Sequence, residues 1–285
     1  MPELLAPFDY DYMVKAMWVS ALVGAVCAFL SAFLMLKGWS LIGDALGHAV
    51  VPGVAGAYMI GLPYSLGAFF AGLLAALSMV LVRQRTKLRE DAIIGIVFTS
   101  FFALGLLMVS IWPASVNIQA IVMGNILGIS DEDTLQVAAI AGVSLTILVL
   151  KWKDLMLVFF DENHARTVGI DPRALQILFF TLLAACIVAA LQTVGAILVI
   201  AMVVTPGATA YLLTDRFQVL LVLSVAIGAA TAFLGAYISF FLDGATGGII
   251  VTLQTLLFLL AFVFAPKHGR LAARRRALAA AESSP

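Results

Sequence analysis

Residues 41–53 read LIGDALGHAVVPG. An aspartate and a histidine stand four residues apart in a stretch, 41–61, that is otherwise apolar or small. Whether that stretch lies in water or in lipid decides the fold, and the composition around it answers. Of the 285 residues, 63% are hydrophobic and 11% charged, where a soluble domain carries about 25% charged residues. Mean hydropathy is +1.11. The chain is expected to be an integral membrane protein, with 41–61 as one of its spans.

A helix rising about 1.5 Å per residue needs about 20 apolar residues to cross a hydrocarbon layer about 30 Å thick. Nine such stretches are predicted: 15–36, 41–61, 64–82, 92–111, 134–151, 173–192, 195–213, 217–241 and 249–265. The count falls to eight if the second, interrupted by Pro52, does not cross. The stretch IQAIVMGNILG, 118–128, is too short to span and reads as re-entrant or interfacial. Lipid does not tolerate unpaired backbone polar groups, so the expected fold class is all-α, a polytopic membrane helical bundle.

Lysine and arginine concentrate in RQRTKLRED (83–91), in 151–173 and in the tail GRLAARRRALA (269–279). By contrast, 112–133 has no basic residue and contains Asp131, Glu132 and Asp133. The positive-inside rule then puts the N-terminus outside and the C-terminus in the cytoplasm. Three regions follow: a short extracytoplasmic start, 1–14; a transmembrane domain, 15–266; and a basic, disordered cytoplasmic tail, 267–285. The acidic start MPELLAPFDYDYM lacks the basic n-region of a cleaved signal, so no processing is expected. Cys27 and Cys186 lie in apolar runs and read as small packing residues.

Positions i and i+4 share one face of a helix, so Asp44 and His48 can hold one cation together or bond to each other as a structural pair. Ala45, Ala49, Gly53, Ala57 and Gly61 form a second stripe, small enough to admit another helix closely. Pro52 has no N–H to give the His48 carbonyl, which is expected to be free beside the imidazole; Pro52 and Gly53 mark a helix break there. An aspartate within a span costs about 2.5–3.5 kcal/mol on insertion scales and marks a functional position. Carboxylate plus imidazole, without thiolate, suits manganese, iron(II) and zinc.

No GxxxxGK[ST], HExxH or GxSxG pattern occurs, so the chain is expected neither to bind ATP itself nor to be an enzyme of those classes. An ion-coupled secondary transporter using the pair as a proton relay, or an intramembrane metalloenzyme, would fit the same two residues. The first lacks a convincing inverted repeat and the second a third protein ligand.

Three stretches in order, LKGWSLIGDALGHAVVPGVAGAY (36–58), REDAIIGIVFTSFFALGLLM (89–108) and VGAILVIAMVVTPGATAYLL (194–213), resemble the permease subunit of bacterial manganese, iron and zinc ABC importers. The resemblance runs over nearly the whole chain, from residue 12 to 266. Members often have serine before the histidine, where this chain has Gly47. The resemblance implies a fold like that of vitamin B12, siderophore and metal ABC permeases, in the bacterial plasma membrane. It implies ATP-driven import of divalent transition metals, manganese and iron ahead of zinc, passing Asp44 and His48. It implies three protein partners: a cytoplasmic ABC ATPase, an extracytoplasmic metal-binding solute-binding protein, and a second copy of this permease or a paralogue. Membrane lipid surrounds them, and no nucleic acid is involved. The metal is cargo, no cofactor is permanently bound, and ATP acts only through the ATPase.

The polar stretch FDENHARTVGIDP, 160–172, reads locally as a short helix. Asp161 is its N-cap, Glu162 and Arg166 pair at i, i+4, and Gly169 ends it; Asp171 and Pro172 begin the next span. On its own this is a connector; the resemblance implies a helix, 160–170, that docks on the ATPase, with His164 as an exposed contact. Thr205 and Pro206 in VVTPGATA mark a kink that frees the Met202 carbonyl, either as a gate or for packing. The acids at 131–133 raise the local cation concentration or complement a helix start. Asp243 in LDGATGG is expected in a turn. His268 carries no signal beyond its basic surroundings.

Overall fold

The computed structural model describes residues 2–111, 130–265 and Arg270. The 118–128 segment and the tail with His268 lie outside the described residues. Within them all regular structure is helical. A short helix α1, Pro2–Leu5, leads through a 3-10 turn, Ala6–Asp9, into α2, Asp11–Lys37. There follow α3, Ser40–Ala49; α4, Val51–Ile60; α5, Tyr64–Arg85; and α6, Glu90–Ile111. Beyond Ser130 come α7, Asp131–Phe160; α8, Glu162–Thr167; α9, Pro172–Val194; α10, Ala196–Leu213; α11, Phe217–Leu242; and α12, Thr246–Phe264.

Among the described residues seven of these, α2, α5, α6, α7, α9, α11 and α12, are long and apolar enough to cross a membrane. Two of the nine expected spans fall short as single helices. The 41–61 stretch is split at Val50 into α3 and α4, ten residues each. Val199–Leu213 is a shorter apolar helix. The acids at 131–133 form the first turn of α7, where Ser130 Oγ accepts the Asp133 N–H at 3.1 Å and donates to Asp133 Oδ2 at 2.7 Å. Carboxylates there offset the positive end of the helix dipole. Asp243 caps α11 with φ +48°, the turn geometry that its neighbouring glycine context suggested.

The chain divides into two compact units, residues 1–38 with 201–285, and residues 39–200. In the first, α2 runs along α11 so closely that a Cβ on Gly24 would stand 2.5 Å from the Gly228 carbonyl oxygen. Absence of side chains lets the two backbones touch, which is how helices gain dispersion energy where lipid removes the hydrophobic drive. Ser224 Oγ donates to the Ala28 carbonyl at 2.6 Å, and Gln254, buried between α11 and α12, reaches Thr231 Oγ1 at 3.2 Å.

Pro206 lies inside α10 without ending it. Beside it, the buried Ser31 hydroxyl accepts the Gly207 N–H at 3.0 Å and donates to the Val204 carbonyl at 3.0 Å, so one side chain of α2 knits the backbone around the proline. Ser31→Ala removes both bonds at a buried position and is expected to cost about 1–3 kcal/mol. The check is a lower thermal midpoint of the purified protein in detergent, followed by size-exclusion chromatography.

In the second unit α4 lies against α5, and a Cβ on Gly53 would meet the Gly67 carbonyl oxygen at 2.0 Å and Ala71 Cβ at 2.6 Å. On the other side α6 brings Gly105 under Val51 and Pro52. The small-residue stripe read from the sequence is therefore used, but not as one line. The break at Val50 divides it, and Gly61, at φ +72°, ends α4 in a left-handed cap.

Candidate functional site

Trp39, 3% exposed, is the residue before α3 and fixes where that helix starts. Its indole Nε1 donates to Glu90 at the start of α6, while Arg83 from α5 pairs with the same carboxylate at 3.1 Å and lies over the indole ring at 5.0 Å. Three helices are tied together at one indole. One turn further on, α3 presents Asp44.

His48 Nδ1 stands 3.0 Å from Asp44 Oδ1 and 3.1 Å from the Asp44 carbonyl oxygen. Both neighbours are acceptors, so in the neutral ring Nδ1 carries the proton and Nε2 keeps the lone pair. A carboxylate that holds one ring nitrogen is the arrangement that orients a ligating histidine and raises its basicity. Edge-on contacts from Phe98 and Phe102 of α6, centroids 5.5 and 5.9 Å away, wall the ring. The Asp44 and His48 side chains are 42% and 32% exposed on the single chain, open enough to meet an ion. Among the described residues no group of three or more His, Cys, Asp and Glu side chains gathers to hold a metal. The pair brings together two donors, one carboxylate and one imidazole.

The expected free carbonyl is not seen as such. α3 ends at Ala49 and α4 begins at Val51; with no N–H on Pro52 to reach it, the His48 carbonyl takes the Val50 N–H. Pro52 is buried in the first turn of α4, where its missing N–H costs nothing, and Gly53 serves helix contact. Thr205 accepts at its carbonyl from Thr209 Oγ1 at 2.8 Å, and with Pro206 it belongs to the other compact unit.

The short polar helix forms as its signals indicate. Asp161 Oδ1 accepts the N–H groups of Asn163 and His164 at 2.9 and 3.0 Å. Gly169, φ +83°, closes α8 as the Ile170 N–H returns to the Ala165 carbonyl at 3.0 Å. Asp171 caps α9 through the Arg173 N–H at 2.9 Å. The Glu162–Arg166 pair does not form: Glu162 accepts from Gln176 Nε2 at 2.8 Å instead, because the first turns of α9 put that buried amide alongside. Arg166 and His164 stay exposed, and Ala165 is the fully buried anchor.

A family model described as the ABC 3 transport family matches residues 9–265. The chain belongs to the ABC 3 transport family. Other transport proteins are similar to it over almost all of its length. The Chelated iron transport system membrane protein YfeC of Yersinia pestis is 72% identical over 96% of this chain and 93% of its own length. The Manganese transport system membrane protein MntB of Synechocystis is 48% identical, over 94% of this chain and 88% of its own. Among solved structures, PsaBC from Streptococcus pneumoniae in complex with Fab is 33% identical with a TM-score of 0.83, covering 96% of this chain and 99% of that one.

Phe98 and Phe102 were not singled out by sequence reasoning, since aromatic residues at i, i+4 in an apolar run look like any packing stripe. The Trp39–Arg83–Glu90 cluster left no trace in the sequence, since its members come from three helix ends far apart in the chain.

Proposed function

We propose that this chain is the permease subunit of an ATP-driven importer that carries divalent transition-metal ions across the bacterial plasma membrane, iron and manganese foremost and zinc as a further cargo. The names of its similar relatives support the cargo. The observation that carries the role of the site is the pairing of His48 Nδ1 with Asp44 Oδ1 at 3.0 Å, which leaves the imidazole's other nitrogen as its free donor. Nitrogen and oxygen donors without thiolate suit manganese and iron(II), and a site of only two donors per chain releases what it binds.

In this reading a second copy, or a paralogous permease, brings its own pair to the same ion. A solute-binding protein delivers the metal to the extracytoplasmic face. A separate ATPase docks on α8 from the cytoplasm, contacting His164 and Arg166 and using Asp161, Glu162 and Gly169 to hold the helix in shape. Thr205 and Pro206 act as a gate. The full span count is nine, with α3 and α4 crossing together as one broken span and α10 as another; the N-terminus is outside and the C-terminus inside. The chain performs no chemistry on its cargo.

The test is uptake of radiolabelled manganese and iron by cells without other importers, expressing this permease with its ATPase and binding protein. Uptake is expected to fall to background when the ATPase nucleotide site is inactivated. Undiminished uptake would point instead to an ion-coupled transporter.

A further inference from the structure

At one end of the 39–200 unit, Arg83 and Gln84 from the last turn of α5, Glu162 and Arg166 from α8, and Arg173 and Gln176 from the start of α9 line a cavity of about 180 Å³. Three guanidinium groups face one carboxylate. Glu90, outside the cavity, offsets Arg83 at 3.1 Å, and Glu162 accepts from Gln176 at 2.8 Å. Arg166 and Arg173 enter no ion pair among the described residues. In the cavity's own lining three guanidinium groups stand against the single carboxylate of Glu162.

We propose that this cavity binds the phosphodiester group of an anionic membrane phospholipid. The guanidinium fork matches two phosphate oxygens at once, and basic pockets between spans on the cytoplasmic side are where headgroups bind. A phosphodiester offers one negative charge and two free oxygens to the Arg166 and Arg173 guanidinium groups. The cavity lies where α5 ends and α9 begins, both apolar enough to cross a bilayer, so its depth is that of the headgroup layer. Asp171 already caps α9, so the arginines and not the helix end supply the attraction. A headgroup held between Arg166 of α8 and Arg173 of α9 braces the short helix against the span that follows it. The assignment rests on the membrane placement proposed above.

The experiment uses the permease–ATPase complex, stripped of lipid in detergent and titrated in native mass spectrometry with phosphatidylglycerol, phosphatidylcholine and inorganic phosphate. Phosphatidylglycerol is expected to be retained roughly tenfold better than phosphatidylcholine, with that preference lost in the Arg166→Gln, Arg173→Gln double variant. Arg166→Lys with Arg173→Lys keeps the charge and is expected to retain part of the binding; Arg173→Gln alone, which leaves the ATPase-facing Arg166 in place, is expected to lose most of the preference with the ATPase still co-purifying, and size-exclusion chromatography verifies that each variant permease is folded. Equal lipid retention by the glutamine variant overturns the proposal. So does binding of inorganic phosphate alone, which makes the site one for a free anion. Lipid binding only after the ATPase is removed overturns it too, since a side chain of the ATPase then fills the cavity. Lipid retention is read without metal, so its failure leaves the transport reading standing; loss of metal uptake with lipid retention intact bears on transport alone.

Discussion

His48→Ala abolishes manganese and iron uptake at unchanged abundance of the assembled complex: this is the expected result. In the proposed site the imidazole is the nitrogen donor, and its Nδ1 is already committed to Asp44. Removing the ring leaves a lone carboxylate, which binds divalent ions far too weakly to concentrate them. Asp44→Asn tests the partner separately. Asparagine still offers an oxygen to Nδ1, so the ring keeps its place, but the negative charge is gone. Loss of a carboxylate that supports a ligating histidine typically costs about 10–100-fold in metal affinity. Asp44→Asn is therefore expected to raise the half-saturating metal concentration, or lower uptake, by that factor, while His48→Ala falls to background. Both are measured as initial uptake rates at matched membrane abundance, with co-purified ATPase as the check on assembly. Normal transport by both variants would make the pair structural and remove the metal path from α3.

The second large effect belongs to a glycine. At position 53 any side chain would place Cβ 2.0 Å from the Gly67 carbonyl oxygen, a backbone atom that cannot swing aside as a side chain can. Gly53→Ala forces α4 and α5 apart along their whole contact, and the reciprocal Gly67→Ala does the same from the other side, where the distance to the Gly53 carbonyl oxygen is 2.1 Å. Overpacking of this kind costs about 1–3 kcal/mol and here, against backbone, the upper end or beyond. The expected outcome is a large drop in folded permease recovered by size-exclusion chromatography. Gly142→Ala is the matched control, since a Cβ there meets nothing within 4 Å. If Gly53→Ala behaved like Gly142→Ala, the close approach of α4 and α5 would be wrong.

Much of this was legible in the sequence, and the reasons differ from residue to residue. Long apolar runs announce helices because lipid offers the backbone no other partner, which is why α2, α5 and α11 fall close to the predicted spans. The caps of α8 and α9 could be read because Asp161, Gly169 and Asp171 act on backbone within a few residues of themselves. The link between Asp44 and His48 follows from helical spacing alone. What escaped depends on neighbours distant in the chain. Glu162 takes Gln176 in place of Arg166 because a helix fourteen positions on happens to arrive there. The close packing of Gly105 of α6 against Val51 and Pro52 likewise has no signature within α4 itself. The aromatic wall around His48 comes from α6, and periodicity within α6 gives no sign of what it faces.

The division of the chain has a consequence in time. Gly24 of α2 is made early, and the carbonyl of Gly228 that it rests upon belongs to a helix synthesised about 200 residues later, roughly 10–40 s at ordinary rates of translation. During that interval α2 is in the membrane with Ser31 and the small face of Gly24 and Ala28 unmatched, while every helix of the 39–200 unit emerges and can pack. Of the helices described, α2 is thus made before the others that span and is among the last to find its place. Truncation after residue 200 would leave the 39–200 unit with its own contacts and strand α2 without its partner.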